Sequence, residues 1–412
     1  MKVTQFANFA NNATDQILGV TGLQRENLQS MFSYPYAIDT LNPITVMGNM
    51  IAIKNAANTS AKNVTVYIEP IQEGTGEPSP TNIRPINGRT MAQITRYGSN
   101  LADISKFVGI SNVAVTFPET GSCHIVTTAQ STYRAANIRP VDMTYPPGTY
   151  YVKFKVKANP VRNSYTCVVL RTVIGNNHEG NYIQITNSNV DKSYEGIFTT
   201  TKDCYFSYIG NGNTTGDEYN TDITIYDLTV SKLDVAYEPY NREIYNISFP
   251  SEAGTVYGGI LDVTNGILTV NKIMMLAKDL NFVKTTSSGV IIFYATLPNG
   301  KLVELPIGIC SSYKVTNNQS AFITSDKTIR FYGSESFSRI AIHDSTYYDY
   351  TADDFTIAIG NVQFVYEIEN PILYRFTPTN IITLEGNNTF YTDCDSMKLE
   401  YYRLEGSGAP ND

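Results

Sequence analysis

An all-β protein of antiparallel sandwich type is what this 412-residue sequence predicts, and three observations carry the prediction. Strand formers dominate: 30 Tyr and 18 Phe occur without one Trp, among many Thr, Val and Ile. Apolar runs are short and mixed with polar residues, and turn formers, 28 Gly among them, punctuate the runs. Between Val256–Val263 and Ile267–Val270 lies Thr264-Asn265-Gly266, and Asn-Gly flanked by β-branched runs is the strongest short-range hairpin signal.

Taken from the N-terminus, residues 1–42 are the exception to the strand texture. Val3, Phe6, Ala10, Ala13 and Ile17 recur at helical spacing until Gly19 stops them, and Arg25–Phe32 adds a second amphipathic piece that breaks at Pro35. Two heptads are marginal as a lone helix, so this stripe must dock, on its own chain or on a sister chain. Burying Phe6 and Ile17 would contribute about 1.5–3 kcal/mol each, and the expectation is an attachment and oligomerisation segment.

Residues 43–99 open a host β domain with strands over Ile44–Met47, Met50–Ile53, Asn63–Pro70 and Met91–Arg96. Glu73–Pro80, dense in Gly and Pro, reads as an exposed loop without the Lys-Ser/Thr that a phosphate-cradling loop needs. From 100 to 237 the strands repeat at regular spacing, which argues for a self-contained antiparallel sandwich inserted into the host. In Thr149–Lys157, Tyr150, Val152, Phe154 and Val156 should face inward, with Lys153, Lys155 and Lys157 in solvent. The host resumes over 238–404. Strands are expected at Ile244–Phe249, Gly289–Ala295, Lys327–Tyr332, Ile340–His343, Val362–Ile368 (closed by Asn370-Pro371), Thr389–Tyr391 and Met397–Tyr402. Thr351 followed by Asp353 and Asp354 suits a helix N-terminus. Residues 405–412 lack an apolar anchor and read as a flexible tail.

Three phrases carry a resemblance. Pro70–Arg89 reads PIQEGTGEPSPTNIRPINGR; Tyr237-Glu238-Pro239-Tyr240 precedes Ala253–Val270, AGTVYGGILDVTNGILTV; and Phe364–Tyr391 reads FVYEIENPILYRFTPTNIITLEGNNTFY. Together they resemble tail, baseplate, fibre and related virion proteins of phages infecting gut bacteria, from about Asn63 onward. Residues 100–237 are similar to the jelly-roll, carbohydrate-binding-module-like sandwiches that such proteins carry before a YEPY-like exit. The resemblance implies a particle location, assembly in the bacterial cytoplasm, other virion proteins as partners and a homo-oligomer, a trimer by preference.

Composition bounds the chemistry. Net charge is −8 and no basic run occurs, so nucleic acid drops out as a partner. No run approaches the roughly 18 apolar residues of a membrane helix, and the start lacks a signal-peptide layout. Cys123, Cys167, Cys204, Cys310 and Cys394 are scattered and odd in number, as buried hydrophobes of a reducing compartment would be. His124, His178 and His343 have no ligand at metal spacing, and no Gly-x-Ser-x-Gly elbow occurs. Gly210–Gly216 is one residue off a dinucleotide pattern and reads as a loop. Asp353/Asp354 and Asp393/Asp395 are acidic pairs at turns, where solvated caps outnumber glycosidase acids. Asp217, Glu218 and Asp222 offer oxygen ligands suited to Ca²⁺, but a solvated loop accounts for them, and no metal or cofactor is expected.

Sugar recognition needs exposed aromatic faces beside amide or charged groups. Tyr133-Arg134, Asn181-Tyr182 and Asp217-Glu218-Tyr219 are the candidates in the sandwich. The expectation is a non-enzymatic virion structural protein with a module for host-surface attachment, a glycan being the candidate ligand. A glycan-degrading virion enzyme and a capsid head fibre or decoration protein stay open as alternatives.

Overall fold

The computed structural model describes residues 43–403 except 55, 57–58, 130–132, 139–143, 159–164, 186–190, 212–221, 288, 303–307, 317–324, 380 and 382–383. The stripe Val3, Phe6, Ala10, Ala13 and Ile17 and the loop residues Asp217, Glu218 and Tyr219 lie outside the described residues, as does the tail. Strands dominate what is described, and its sheets are antiparallel but for one short parallel pair, Lys314–Val315 with Thr328–Ser334.

The host is a two-sheet sandwich. Its larger sheet orders seven strands as Pro43–Gly48, Ser396–Arg403, Thr59–Ile68, Gly259–Asp262, Ile267–Leu276, Gln363–Arg375 and Gly308–Cys310. The smaller orders Arg242–Ser248, Met91–Tyr97, Asn388–Thr392 and Met50–Ile53. Alternate residues of both sheets, among them Val64, Val66, Ile94, Ile247, Leu261, Leu268, Phe390 and Leu399, meet in one core. The Asn265-Gly266 hairpin forms where the sequence places it. Gly266 adopts φ +65°, and Asp262 Oδ1 accepts from the Asn265 N–H at 2.9 Å.

Two excursions leave this host, each from a pair of neighbouring strands. In the first, Tyr97 and Arg242 stand opposite each other in the smaller sheet, and the chain between them builds a sandwich with its own core. One of its sheets orders Tyr182–Ile185, Tyr165–Thr172, Cys204–Asn211, Tyr133–Ile138 and Phe107–Ser111; the other orders Lys192–Thr200, Gly148–Ala158, Asp222–Ser231, Ser122–Thr127 and Val113–Thr116. Tyr150, Val152, Phe154 and Val156 are buried while Lys155 and Lys157 are exposed, which is the one-sided strand that alternation dictates.

The Tyr237–Tyr240 phrase bolts this sandwich to the host. Glu238 accepts from Ser99 Oγ at 2.6 Å on the outgoing side and from Asn387 Nδ2 of a host loop at 3.0 Å. Asn100 is buried and fully engaged: Nδ2 donates to the carbonyls of Leu228 and Glu238, and Oδ1 accepts from the N–H groups of Ala102 and Val230.

The second excursion was not separable from its host in the sequence. Leu276 stands opposite Gln363 in the larger sheet, and between them lie the strands Phe282–Ser287, Val290–Thr296, Phe337–His343, Thr328–Ser334 and Lys314–Val315. They pack on the helix Ala352–Ala358 and on Phe364, Tyr366 and Ile368 of the long host strand. The helix starts where expected, Thr351 Oγ1 accepting from the Asp354 N–H at 3.1 Å, and Phe355 stacks on Phe293 with centroids 3.9 Å apart. Because the excursion shares the long strand with the host, its texture does not change along the chain.

One strand end differs from expectation. Asn370-Pro371 does not close its strand, which runs from Gln363 to Arg375. Val270 faces Ile372 while Lys272 faces Glu367, so the residues around Pro371 form a bulge, where a missing N–H breaks no ladder bond.

The Pro70–Arg89 phrase also acquires a physical reason. Arg84 sits inside the loop it belongs to: Nε donates to Glu73 O at 2.7 Å, and the terminal nitrogens donate to the carbonyls of Gln72, Gly74 and Gly76. The loop then seats on the second excursion through the Arg84 N–H to Ser311 O and an ion pair of Glu77 with Lys314.

Candidate functional site

In the first sheet of the inserted sandwich, cross-strand register aligns Tyr182, Val169, Ser207, Asn137 and Val108 in one row. Their sequence neighbours Val168, Leu170, Phe206, Tyr208, Ala136, Ile138 and Phe107 fill the core, so this row lies on the outer face. Arg171 and Tyr205 pair on the same face toward one end, and Tyr133 stands toward the other.

Arg171 ties the face together. One terminal nitrogen donates to the Tyr133 hydroxyl at 2.6 Å, while Nε and the other donate to Asn176 O at 2.9 and 2.8 Å. Tyr205 donates to Asn176 Oδ1 at 3.0 Å, and burial raises the pKa of its hydroxyl, with nearby Arg171 opposing. Asn176 can receive both because it sits in a left-handed turn at φ 53°. Beneath these long side chains, Ala135, Val169 and Ser207 are buried, and Ser207 Oγ donates to Asn137 Oδ1 at 2.6 Å. Tyr133 remains 40% exposed and Tyr182 46% exposed, with His178 edge-on to Tyr182 at 5.8 Å. The two tyrosines are three strands apart, about 14 Å across the sheet.

This arrangement suits an extended ligand with both apolar faces and hydroxyls. Exposed rings take the faces; amide, guanidinium and hydroxyl groups take the polar edges. Tyr133 is pre-positioned by Arg171, which lowers the entropy lost when a ligand stacks on its ring.

Of the candidates read from the sequence, Tyr133 and Tyr182 stand on this face. Arg134 does not: strand alternation turns it toward the interior, where it is fully buried. Asn181 is also buried. Its Nδ2 donates to Thr199 O at 2.6 Å and its Oδ1 accepts from the Thr199 N–H at 2.9 Å, which ties one sheet of the sandwich to the other. Arg171, Tyr205, Asn176 and Asn137 were missed, and Gly175-Asn176-Asn177 was the only local signal, as a turn.

The other chemistry-bearing groups are engaged structurally. Asp393 accepts from Arg89 at 2.7 Å and from the Gln93 N–H at 2.8 Å, and Asp354 belongs to the helix cap. On the sandwich's second sheet, His124 meets Asp222 at 2.6 Å and Lys155 meets Asp227 at 2.7 Å. Cys123, Cys310 and Cys394 are buried with thiol pKa values pushed up by desolvation to about 12, and Cys204 to about 11. Among the described residues no three His, Cys, Asp or Glu groups converge as metal ligands would, and no helix is long and apolar enough to cross a membrane.

No protein-family model matches the chain, and no curated protein matches it. Among solved structures, the enzymatically active domain of tailspike protein 4 from bacteriophage CBA120 is similar over 32% of this chain and 21% of its own, at 12% identity and a TM-score of 0.23. The chain thus spans about a fifth of that domain. The CBM22-1 xylan-binding domain of Xyn10C from Paenibacillus barcinonensis is similar over 34% of this chain and 94% of its own, at 12% identity and a TM-score of 0.23. The tandem CBM22-1–CBM22-2 domain of the same protein is similar over 74% of this chain and 96% of its own, at 10% identity and a TM-score of 0.24.

Proposed function

We propose that this protein is a non-enzymatic structural component of a phage particle, of a tail, baseplate or fibre, whose inserted sandwich attaches to a glycan on the host surface. The observation that carries the binding half is the outer sheet face on which Tyr133 and Tyr182 stay exposed while Arg171 holds Tyr133 in place. The virion half rests on the Pro70–Arg89, Tyr237–Val270 and Phe364–Tyr391 phrases and their resemblance to phage tail and fibre proteins. Engagement of Asp393 with Arg89 and of Asp354 in the helix cap favours binding over hydrolysis. Its partners are then other virion proteins and sister copies, a trimer by preference, with neither nucleic acid nor membrane among them.

Affinity electrophoresis through gels containing purified host-surface polysaccharide tests the proposal. The parent should be retarded, and Tyr133→Ala with Tyr182→Ala should weaken binding about tenfold, two stacking contacts of roughly 0.5–1.5 kcal/mol each. No new reducing ends should appear. Equal retardation of parent and double variant, or steady release of sugar, would remove the reading.

A further inference from the structure

The Tyr237–Tyr240 phrase does more than fasten the sandwich. Tyr237 is 38% exposed and lines two clefts, one of about 650 Å³ and one of about 530 Å³. The larger is walled by Asp103–Ser105, by the hairpin loop that joins Val113–Thr116 to Ser122–Thr127, and by Tyr237. Phe117 of that loop is 44% exposed. Ser122 holds the loop shut, its N–H donating to Glu119 O at 3.2 Å and its hydroxyl to the same oxygen at 3.0 Å. Glu119 is thus fixed through its backbone, and its side chain stays in solvent. Asp103 uses only Oδ1, which accepts from the Ser105 N–H at 3.1 Å and from the Ser105 hydroxyl at 2.6 Å. Among the described residues, neither the Glu119 carboxylate nor the Tyr237 hydroxyl has a partner, and no Lys or Arg lines this cleft.

Across Tyr237, the smaller cleft lies on the outer face of the sandwich's second sheet. Its Lys153 and Lys155 are already paired, with Asp234 at 2.6 Å and Asp227 at 2.7 Å. Its distinctive group is Thr229. This residue stands opposite Lys153 and alternates with the core residues Leu228 and Val230, so its side chain faces outward. It is 2% exposed, and its Oγ1 has no hydrogen-bond partner among the described residues. A hydroxyl held so is costly unless something entering the cleft satisfies it.

Exposed rings take a sugar face or an ammonium, and acceptor-only carboxylates without a local cation call for a ligand that brings positive charge. An alkylammonium alone would leave the Tyr237 and Thr229 hydroxyls unused. We propose that the groove through Tyr237 is a second ligand site, specific for an amine-bearing saccharide chain. The ammonium lies between Asp103 and Glu119 against the Phe117 and Tyr237 rings, and the next unit passes Tyr237 to meet Thr229. The site rests on the glycan-attachment reading, but on the opposite sheet of the sandwich from Tyr133 and Tyr182.

The intact protein is titrated calorimetrically with a β-1,4-linked glucosamine tetramer, with its fully N-acetylated form and with tetralysine. Binding is expected for the glucosamine tetramer alone. Asp103→Asn with Glu119→Gln keeps both shapes, removes both charges and should weaken it at least about tenfold. Thr229→Val removes only the hydroxyl and should weaken it about threefold. The fold makes no use of that hydroxyl, so the valine variant decides the matter if the double variant does not fold. Tyr133→Ala with Tyr182→Ala should leave this binding unchanged, so failure of this site and failure of the sandwich-face reading are told apart. No binding of the glucosamine tetramer, equal binding of its acetylated form or of tetralysine, or parent-like affinity in both the charge and the valine variants overturns the proposal.

Discussion

At the scale of the residue, Arg84 shows how a surface phrase becomes legible only in three dimensions. A guanidinium donating to four backbone carbonyls takes the place of water for the loop it closes. Arg84→Ala should lower stability by about 1–3 kcal/mol and open Glu73–Pro80 to proteases, and Arg84→Lys should rescue little because one ammonium cannot span the fork. Denaturant titration with limited proteolysis checks both; a lysine variant as resistant as the parent would show that charge alone suffices. The buried thiols support a second expectation. Cys123, Cys310 and Cys394 have folded pKa values near 12 against an ordinary 9.0, so the folded state holds these protons more tightly than the unfolded chain does. That contribution is fully present below about pH 9 and is lost as pH rises from 9 toward 12. Unfolding midpoints measured from pH 7 to 11 should therefore fall on the alkaline side, with little reaction of these thiols toward Ellman's reagent at pH 8. The same scale explains the misreading of Arg134: adjacency to Tyr133 in sequence means the opposite face in a strand, whereas Arg171, remote in sequence, meets Tyr133 across two intervening ladders.

At the scale of the element, what could be read were strands with one wet face and turns with a required backbone conformation. Gly148–Ala158 alternates apolar and lysine residues, and Gly266 takes a positive φ with Phe376 O directly where a Cβ would stand. Gly266→Ala should cost about 1–3 kcal/mol, more than the same change at an unstrained turn, because sterics add to the conformational penalty. A thermal melt within a degree of the parent would contradict this. Strands that lack the pattern escaped notice. Phe107–Ser111 contains Gly109, whose Cβ position is blocked by Val113 O, and Phe282–Ser287 is an edge strand on which Lys284, Thr285 and Thr286 are exposed. Pro371 misled for the converse reason, since a bulge tolerates it inside a long strand. Helix capping was legible: Thr351→Ala should remove about 1 kcal/mol through the lost Asp354 N–H bond, read as a lower unfolding midpoint.

At the scale of the whole molecule, the all-β class followed from composition, while the count of cores did not. The sandwich between Tyr97 and Arg242 fills a core of its own, whereas the second excursion borrows Phe364, Tyr366 and Ile368 from the host, and a shared core leaves no boundary in the sequence. Deleting the sandwich and joining Gly98 to Asn241, whose backbones are already hydrogen-bonded at 3.2 Å, should leave a folded host; loss of cooperative unfolding in that deletion would mean the host core depends on the insert. For the N-terminal stripe, Phe6→Asp with Ile17→Asp should release monomers while the β domains stay folded, and parent-like mass by light scattering would assign the stripe to its own chain.

The paired strands that carry the sandwich have a mechanical consequence. A tether gripping the Tyr133–Tyr182 face pulls on the host through Met91–Tyr97 and Arg242–Ser248 together, along their own length. Ladder hydrogen bonds run across the strands, so such a tug loads those between Met91–Tyr97 and Asn388–Thr392 side by side in shear. Pulling instead on Pro43 and Tyr402, which face each other at the sheet's edge, peels one bond at a time. In single-molecule stretching, the host should therefore resist far greater force through the sandwich than through its own ends, a toughness that depends on the direction of the pull.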